Sequence, residues 1–150
     1  VGGTRAFVGV PGSAGGSSLV SVDVASDALT PLLDDAFFFT PGALVASPDG
    51  STVAVAGASG LLLLDLASGQ ARSAAASFGP SAFADGGRWV FSAGAGPLFA
   101  VAVDGHVAQV RIPLRAPANA IAAAPDGELV VVGDDTSLHV YCMPESSLHP

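Results

Sequence analysis

The chain contains no lysine and only one cysteine among its 150 residues. Its five basic residues are all arginines and lie far apart in the sequence, against 13 acidic residues, so the formal net charge is −8. An acidic chain without a basic run has the wrong sign for phosphate, so we predict no nucleic-acid partner. A single cysteine excludes an intrachain disulfide, and the place of Cys142 in a strand-like run predicts a buried thiol.

Long apolar runs are also missing. Runs such as Leu61–Leu64 are far short of the roughly 20 residues that a membrane-spanning helix needs, so we predict no membrane segment. Charged residues make up only 12% and hydrophobic residues 50%, a balance that favours a packed core over disorder. The chain begins without Met and shows no signal peptide, so either a segment was removed or this is a piece of a longer protein. The compartment stays unknown, with the cytoplasm favoured.

A tandem repeat organises the sequence. Its turns lie at Gly2-Gly3, Asp49-Gly50, Asp85-Gly86 and Asp126-Gly127, and an apolar strand follows each of them. Asp-Gly is a strong hairpin signal because glycine accepts the positive φ that such turns require. The last three turns are 36 and 41 residues apart, and a period of about 40 residues holding four strands is the length of a propeller blade.

The repeat predicts one domain of four units and 14 strands. The units span about 1–35, 36–76, 77–113 and 114–144, and a polar tail follows at 145–150. The middle units contain four strands, a to d, whereas the first unit lacks strand a and the last lacks strand d. Strands b and c are apolar, as in strands covered on both faces, and strand d carries charge or proline, as at an exposed edge. We favour part of a larger propeller, with a half-propeller that closes its ring by self-association or an irregular small closed ring as alternatives.

The second unit carries a known pattern. Ser47-Pro-Asp-Gly-Ser-Thr-Val-Ala-Val-Ala-Gly57, running on to Leu61-Leu-Leu-Leu-Asp-Leu-Ala-Ser-Gly69, resembles a blade of the WD-repeat and YVTN-type β-propellers. Ala124-Pro-Asp-Gly-Glu-Leu-Val-Val-Val-Gly133 repeats its first half. The c strands lack the Trp-Asp end of WD repeats, so the YVTN-like pattern fits better and the subfamily stays open.

The resemblance implies an all-β fold of four-stranded antiparallel blades. It also implies a non-enzymatic scaffold whose face loops bind a protein or peptide partner. Two alternatives stay open: part of a propeller enzyme, lactonase- or quinoprotein-like, and a secreted YVTN-type surface protein. Because function is grafted onto folds, the resemblance does not choose among them.

Residues that carry chemistry are few. The histidines, His106, His139 and His149, have no metal-site spacing, and the acidic pairs, Asp34-Asp35 and Asp134-Asp135, are typical of solvated turns. We therefore predict no catalytic residue, no metal and no cofactor.

An aromatic run gives the best candidate for partner binding. Phe37, Phe38 and Phe39 lie in the connection between the first and second units. Three consecutive side chains of an extended segment cannot all point into one core, so at least one is a candidate partner contact, with packing between blades as the alternative. Arg88 and Trp89, at the start of strand b in the third unit, complete the predicted set, and Trp89 has the same packing alternative.

Overall fold

The computed structural model describes residues 4–11, 17–37, 43–57, 60–74, 79–104 and 109–143. Within these ranges it contains 14 β-strands and one 3-10 turn at Asp85–Gly87. The strands are β1 Arg5–Pro11, β2 Ser17–Asp23, β3 Leu29–Phe37, β4 Ala43–Ala46, β5 Thr52–Gly57, β6 Gly60–Asp65, β7 Ala71–Ala74, β8 Ser81–Ala84, β9 Trp89–Ser92, β10 Leu98–Ala102, β11 Gln109–Ile112, β12 Ala120–Ala123, β13 Leu129–Gly133 and β14 Leu138–Cys142.

The strands form four separate antiparallel sheets, in which sequential strands are neighbours. The first sheet is β1-β2-β3, the second β4-β5-β6-β7, the third β8-β9-β10-β11 and the fourth β12-β13-β14. Strand β1 contacts β4, β4 contacts β8, and β8 contacts β12, so the sheets follow one another around their inner strands. This is the arrangement of β-propeller blades, and it confirms the predicted fold class. The strands match their predicted positions within a few residues, except that β3 continues to Phe37, beyond the predicted end of the first unit at residue 35.

Each pair of adjacent blades shares an apolar core. In β5, Val53 and Val55 pack toward Leu19 of the first blade, whereas Ala54 and Ala56 pack in a cluster with Val90 of the third blade. The cluster between the third and fourth blades contains Trp89, Phe91, Val130 and Val132 among its members. Side chains on a strand alternate between two faces, so each central blade supplies half of two cores. The prediction that strands b and c are covered on both faces is confirmed for β5 and β9, where every residue is buried.

The two ends of the blades carry different connections. We call the turn end the end that carries the β4–β5, β8–β9 and β12–β13 turns, and the loop end the opposite one, with the β9–β10, β11–β12 and β13–β14 connections. At the turn end, Gly50 and Gly127 have φ angles of 73° and 81°, the left-handed values for which glycine was predicted. The Asp85 N–H donates to the Pro125 carbonyl at 2.7 Å, which joins the turns of the third and fourth blades.

Two sequence expectations are wrong in informative ways. Cys142 is exposed, because it lies on the face of β14 that points away from the third blade. Arg72 is half-buried instead of an exposed edge charge, and its Nη2 donates to the carbonyl oxygens of Ala102 and Val103 in the next blade. In both cases the sequence predicts the strand correctly, but the exposure of the side chain depends on the neighbouring blade.

Candidate functional site

The structure separates the residues that the sequence predicted as partner contacts. Phe37 ends β3, and strand order places that end at the loop end, whereas Phe38 and Phe39 lie outside the described residues. Arg88 and Trp89 follow the β8–β9 turn, at the turn end. The predicted set therefore does not form one surface.

Trp89 and Arg88 differ in exposure. Trp89 is 3% exposed and belongs to the core between the third and fourth blades, so its surroundings fit the packing alternative. The Arg88 side chain is exposed and its Nη1 lies 3.3 Å from Asp85 Oδ2. Such an exposed ion pair contributes little to stability, on the order of 0–1 kcal/mol.

The third blade contains a cleft that is lined by two of its connections. It has a volume of about 430 Å³ and lies at the loop end, between the β9–β10 turn and the β11–β12 connection. Its wall residues include Pro97, Arg111, Pro113, Arg115 and Pro117. A volume of this size is within the range of ligand pockets, about 300–1,000 Å³.

Local backbone structure holds the two walls of the cleft together. The Ala118 N–H donates to the Gly94 carbonyl at 2.9 Å, which fixes the end of the β11–β12 connection to the β9–β10 turn. Pro113 and Pro117 bracket that connection, and proline restricts φ to about −65°. Below them Gly79 packs so closely on the Ala93 carbonyl that a Cβ would lie 2.2 Å from its oxygen. The cleft is thus formed by a constrained backbone.

Two guanidinium groups give the cleft its charge. Arg111 and Arg115 are exposed and line the same cleft, and the Arg111 guanidinium carbon lies 5.8 Å from the centre of the Phe99 ring. This stacking holds the Arg111 side chain over the neighbouring strand. The ion pairs found among the described residues join Arg88 to Asp85 and His139 to Asp134, so neither cleft arginine is engaged in one there.

Sequence reasoning missed this site because it treated the arginines as scattered. The available signal was the segment Arg111-Ile-Pro-Leu-Arg-Ala-Pro117, which runs from the end of one predicted strand into the connection to the next. Arginines four residues apart around a proline, in a connection where chain direction reverses, lie at one end of a blade. The second wall, at Ala95–Pro97, comes from another connection and could only be added by the fold.

Acidic side chains lie at the loop end of the fourth blade, in the β13–β14 connection. Asp134 Oδ1 accepts hydrogen bonds from the N–H groups of Thr136 and Ser137, and Asp134 Oδ2 lies 3.0 Å from His139 Nε2. The backbone bond from Thr136, followed by the contact with His139, lowers the pKa of Asp134 to about 2. This carboxylate stays charged at neutral pH and orients the imidazole. Its bonds with Thr136 and Ser137 are the predicted turn chemistry, but the Asp134 side chain is only 10% exposed and is not the solvated group that was predicted.

Neither a cluster of metal ligands nor a membrane-spanning helix occurs in the part of the chain that the structure describes. No group of three or more His, Cys, Asp or Glu side chains that could hold a metal ion occurs among the described residues. In that part of the chain no helix is long and apolar enough to cross a membrane.

Comparison with known proteins identifies the architecture. No family model and no curated protein sequence matches the chain, but 227 chains of solved structures do. A chain of the mitotic checkpoint complex crystal structure has a TM-score of 0.69 at 16% identity, over 83% of this chain and 40% of that chain. Hydrazine synthase from Kuenenia stuttgartiensis has a TM-score of 0.67 at 16% identity, over 87% of this chain and 41% of that chain.

These neighbours are propeller-type folds, so the chain has the β-propeller fold. It spans about two fifths of the length of each of them. One neighbour belongs to a protein complex and the other is a synthase, and at 16% identity the likeness shows the fold alone.

Proposed function

We propose that this chain is part of a non-enzymatic β-propeller scaffold, of the WD-repeat or YVTN-like kind, that binds an acidic segment of a protein partner at its loop end. The observation that carries this proposal is the cleft of the third blade, where Arg111 and Arg115 line a constrained cavity. Two of the chain's five positive charges meet there, although the net charge is −8.

The chemistry of guanidinium determines the class of ligand. Arginine presents its N–H donors in a planar fork that matches a carboxylate with two parallel hydrogen bonds. Arg111 is already oriented by Phe99, so less side-chain entropy is lost when a ligand binds. The apolar wall residues, Leu114 and the prolines, suit a peptide that alternates acidic and apolar residues.

The aromatic run extends the proposed contact surface. Phe37 ends β3 at the loop end, which is the end that carries the arginine cleft. We propose Phe37, Phe38 and Phe39 as apolar anchors for the same partner, since aromatic residues are enriched among the residues that contribute most to binding. Arg88 lies at the turn end and serves as the rival site in the test.

Fluorescence anisotropy with a defined probe tests the proposal. The probe is a labelled peptide of alternating Glu and Leu residues, compared with the same peptide in which Gln replaces Glu. We expect the Glu peptide to bind, the Gln peptide to bind at least about tenfold more weakly, and the affinity to fall with added salt because the cleft charges are exposed. The double substitution Arg111→Gln and Arg115→Gln should abolish the difference between the two peptides.

Arg88→Gln is the matched control, because it removes one positive charge at the turn end. It should leave binding within about twofold. Circular dichroism checks that each variant is folded. Equal binding of the Glu and Gln peptides, or a loss of binding with Arg88→Gln in place of the cleft pair, would contradict the proposal. Selective binding of a phosphoserine version of the peptide would instead assign the cleft to phosphate.

A further inference from the structure

The two outer blades each leave one apolar face uncovered by the described residues. Among the residues whose burial is described, seven large apolar side chains are exposed, and six of them lie on these two faces. The first end face, on β1, β2 and β3, includes Ala6, Val8, Val10, Val20, Val22 and Leu29; the last end face, on β12, β13 and β14, includes Ala122, Leu129, Val131, Leu138, Val140 and Cys142.

The repeat shows that these faces correspond to buried interfaces. Leu138 pairs with Gly133 as Leu61 pairs with Ala56, and Val140 pairs with Val131 as Leu63 pairs with Ala54. Leu138 and Val140 are 77% and 62% exposed, whereas Leu61 and Leu63 are 1% and 2% exposed. The side chains of the last end face thus occupy positions that the second blade buries against the third.

The first end face has the complementary correspondence. Val8 pairs with Val20 as Val55 pairs with Leu62. Val55 is buried against the preceding blade, whereas Val8 is 45% exposed. Each of the three cores in the chain packs a face of the last-end type onto a face of the first-end type. The chain exposes one of each.

We propose that a second copy of this chain covers both end faces. The last end face of each copy packs on the first end face of the other, so two copies close one ring of eight blades around a twofold axis. Eight blades lie within the range of known propellers, about four to eight. The side chains named above on both faces are uncharged, as are those of the apolar cores between the blades.

Solution mass is the first test. Light scattering after size exclusion, from about 1 to 100 µM, should give twice the chain mass of 14.6 kDa without larger species, because a closed ring leaves no free end face. A monomer at 100 µM overturns the proposal, and it is the result expected if further blades of a longer polypeptide cover these faces. An open series of larger oligomers overturns the closed two-copy ring.

Two charge substitutions test which faces meet. Val140→Asp disrupts the last end face and Val8→Asp the first, so each variant alone should be monomeric. A mixture of the two should recover a one-to-one complex, because one intact face of each type remains. Val24→Asp is the matched control, since Val24 is 60% exposed in a turn outside both faces, and it should remain a dimer. A variant that stays dimeric, or a mixture that stays monomeric, contradicts the pairing of unlike faces.

Cys142 reports on the last end face directly. Its thiol is exposed in the single chain, so a maleimide should modify it quickly in the Val8→Asp variant, whose last end face is uncovered. In the wild-type dimer we expect modification at least about tenfold slower. Equal rates would contradict the proposed contact even if the mass were that of a dimer.

Discussion

Two turns that are 42 residues apart form the same hydrogen bonds. Asp23 Oδ1 accepts from the N–H groups of Ala25 and Ser26 and from the Ser26 hydroxyl, and Asp65 Oδ1 accepts in the same way from Ala67 and Ser68. These bonds lower the pKa of both carboxyl groups, with the bonds from the serines as the largest cause. The sequence repeat Asp-x-Ala-Ser predicts this correspondence, because an aspartate accepts bonds from the backbone that follows it.

The residue that follows the serine in each of these two turns differs between the copies. Asp27 has a φ angle of 55°, and Gly69 at the equivalent position has a φ angle of 70°. A left-handed backbone is unfavourable for residues with a Cβ. We expect Asp27→Gly to raise the free energy of unfolding by about 0.5 kcal/mol and Gly69→Asp to lower it by about 1 kcal/mol.

Urea denaturation of both variants measures this difference. Space does not limit the second substitution, because no atom lies within 4 Å of a Cβ built on Gly69. Ala25→Gly, in the same turn but without a positive φ, is the control and should not stabilise the protein. Stabilisation by Gly69→Asp would show that the left-handed backbone is not what distinguishes the two turns.

The carboxyl group of Asp134 predicts a pH dependence. Its pKa in the folded chain is about 2, below the usual value of 3.8. A depressed pKa contributes stability above the unfolded value, and this contribution is lost as the pH falls from about 4 toward 2. Asp134→Asn should therefore flatten the stability profile between pH 4 and pH 2. Thermal unfolding across this range measures the profile, and an unchanged slope would contradict the assignment.

Asp135→Asn is the matched control for this titration. Asp135 is the adjacent exposed carboxylate, and it accepts a hydrogen bond from the Asn119 side chain at 2.8 Å. It lacks the backbone bonds that Thr136 and Ser137 donate to Asp134, so this variant removes a neighbouring negative charge and keeps those bonds.

At the scale of strands and blades, the sequence predicts the pairing of strands within a blade better than it predicts the contacts between blades. The inner strands follow from apolar runs and hairpin turns, and the repeat adds the charged or proline-containing outer strands, because these signals lie within one blade. The burial of Trp89 and the exposure of Cys142 depend on whether a further blade covers the strand. The arginine cleft likewise joins two connections of the third blade, which only the folded chain brings together.

Arg72 is the clearest contact between blades at this scale. Its guanidinium Nη2 on β7 donates to the carbonyl groups of Ala102 and Val103 in the third blade. Arg72→Ala leaves both carbonyl groups without this donor, and we expect it to lower the free energy of unfolding by about 1–3 kcal/mol. Arg72→Lys should recover part of this loss, since lysine supplies a donor but not the planar fork.

Chemical denaturation of the two variants provides the measurement. Arg5→Ala is the control, because Arg5 is exposed on the first strand and its substitution removes the same charge. We expect it to change the free energy of unfolding by no more than about 0.5 kcal/mol. An equal loss with Arg5→Ala would attribute the effect of Arg72 to net charge and not to its bonds with the third blade.

At the scale of the whole molecule, three apolar cores link four blades in series. Each core contains side chains of two adjacent blades, so a central blade is held on both sides and an outer blade on one. The repeat period predicts this serial arrangement. The number of blades in the closed ring does not follow from the period, since the same blade packs into rings of different size.

The turn end and the loop end of the blades differ in how closely their connections are tied to neighbouring blades. At the turn end, the third-blade turn is bonded to the fourth through Pro125 and packs on the second, where a Cβ on Gly87 would lie 3.2 Å from the Ser47 Cβ. At the loop end, the β5–β6 connection has two residues, 58–59, whereas the β9–β10 connection has five, 93–97. The β5–β6 and β9–β10 connections each lie within one blade, so inserted sequence in them leaves the order of the blades unchanged. New binding specificities can be acquired at the loop end by lengthening a loop, while the turn end preserves the architecture.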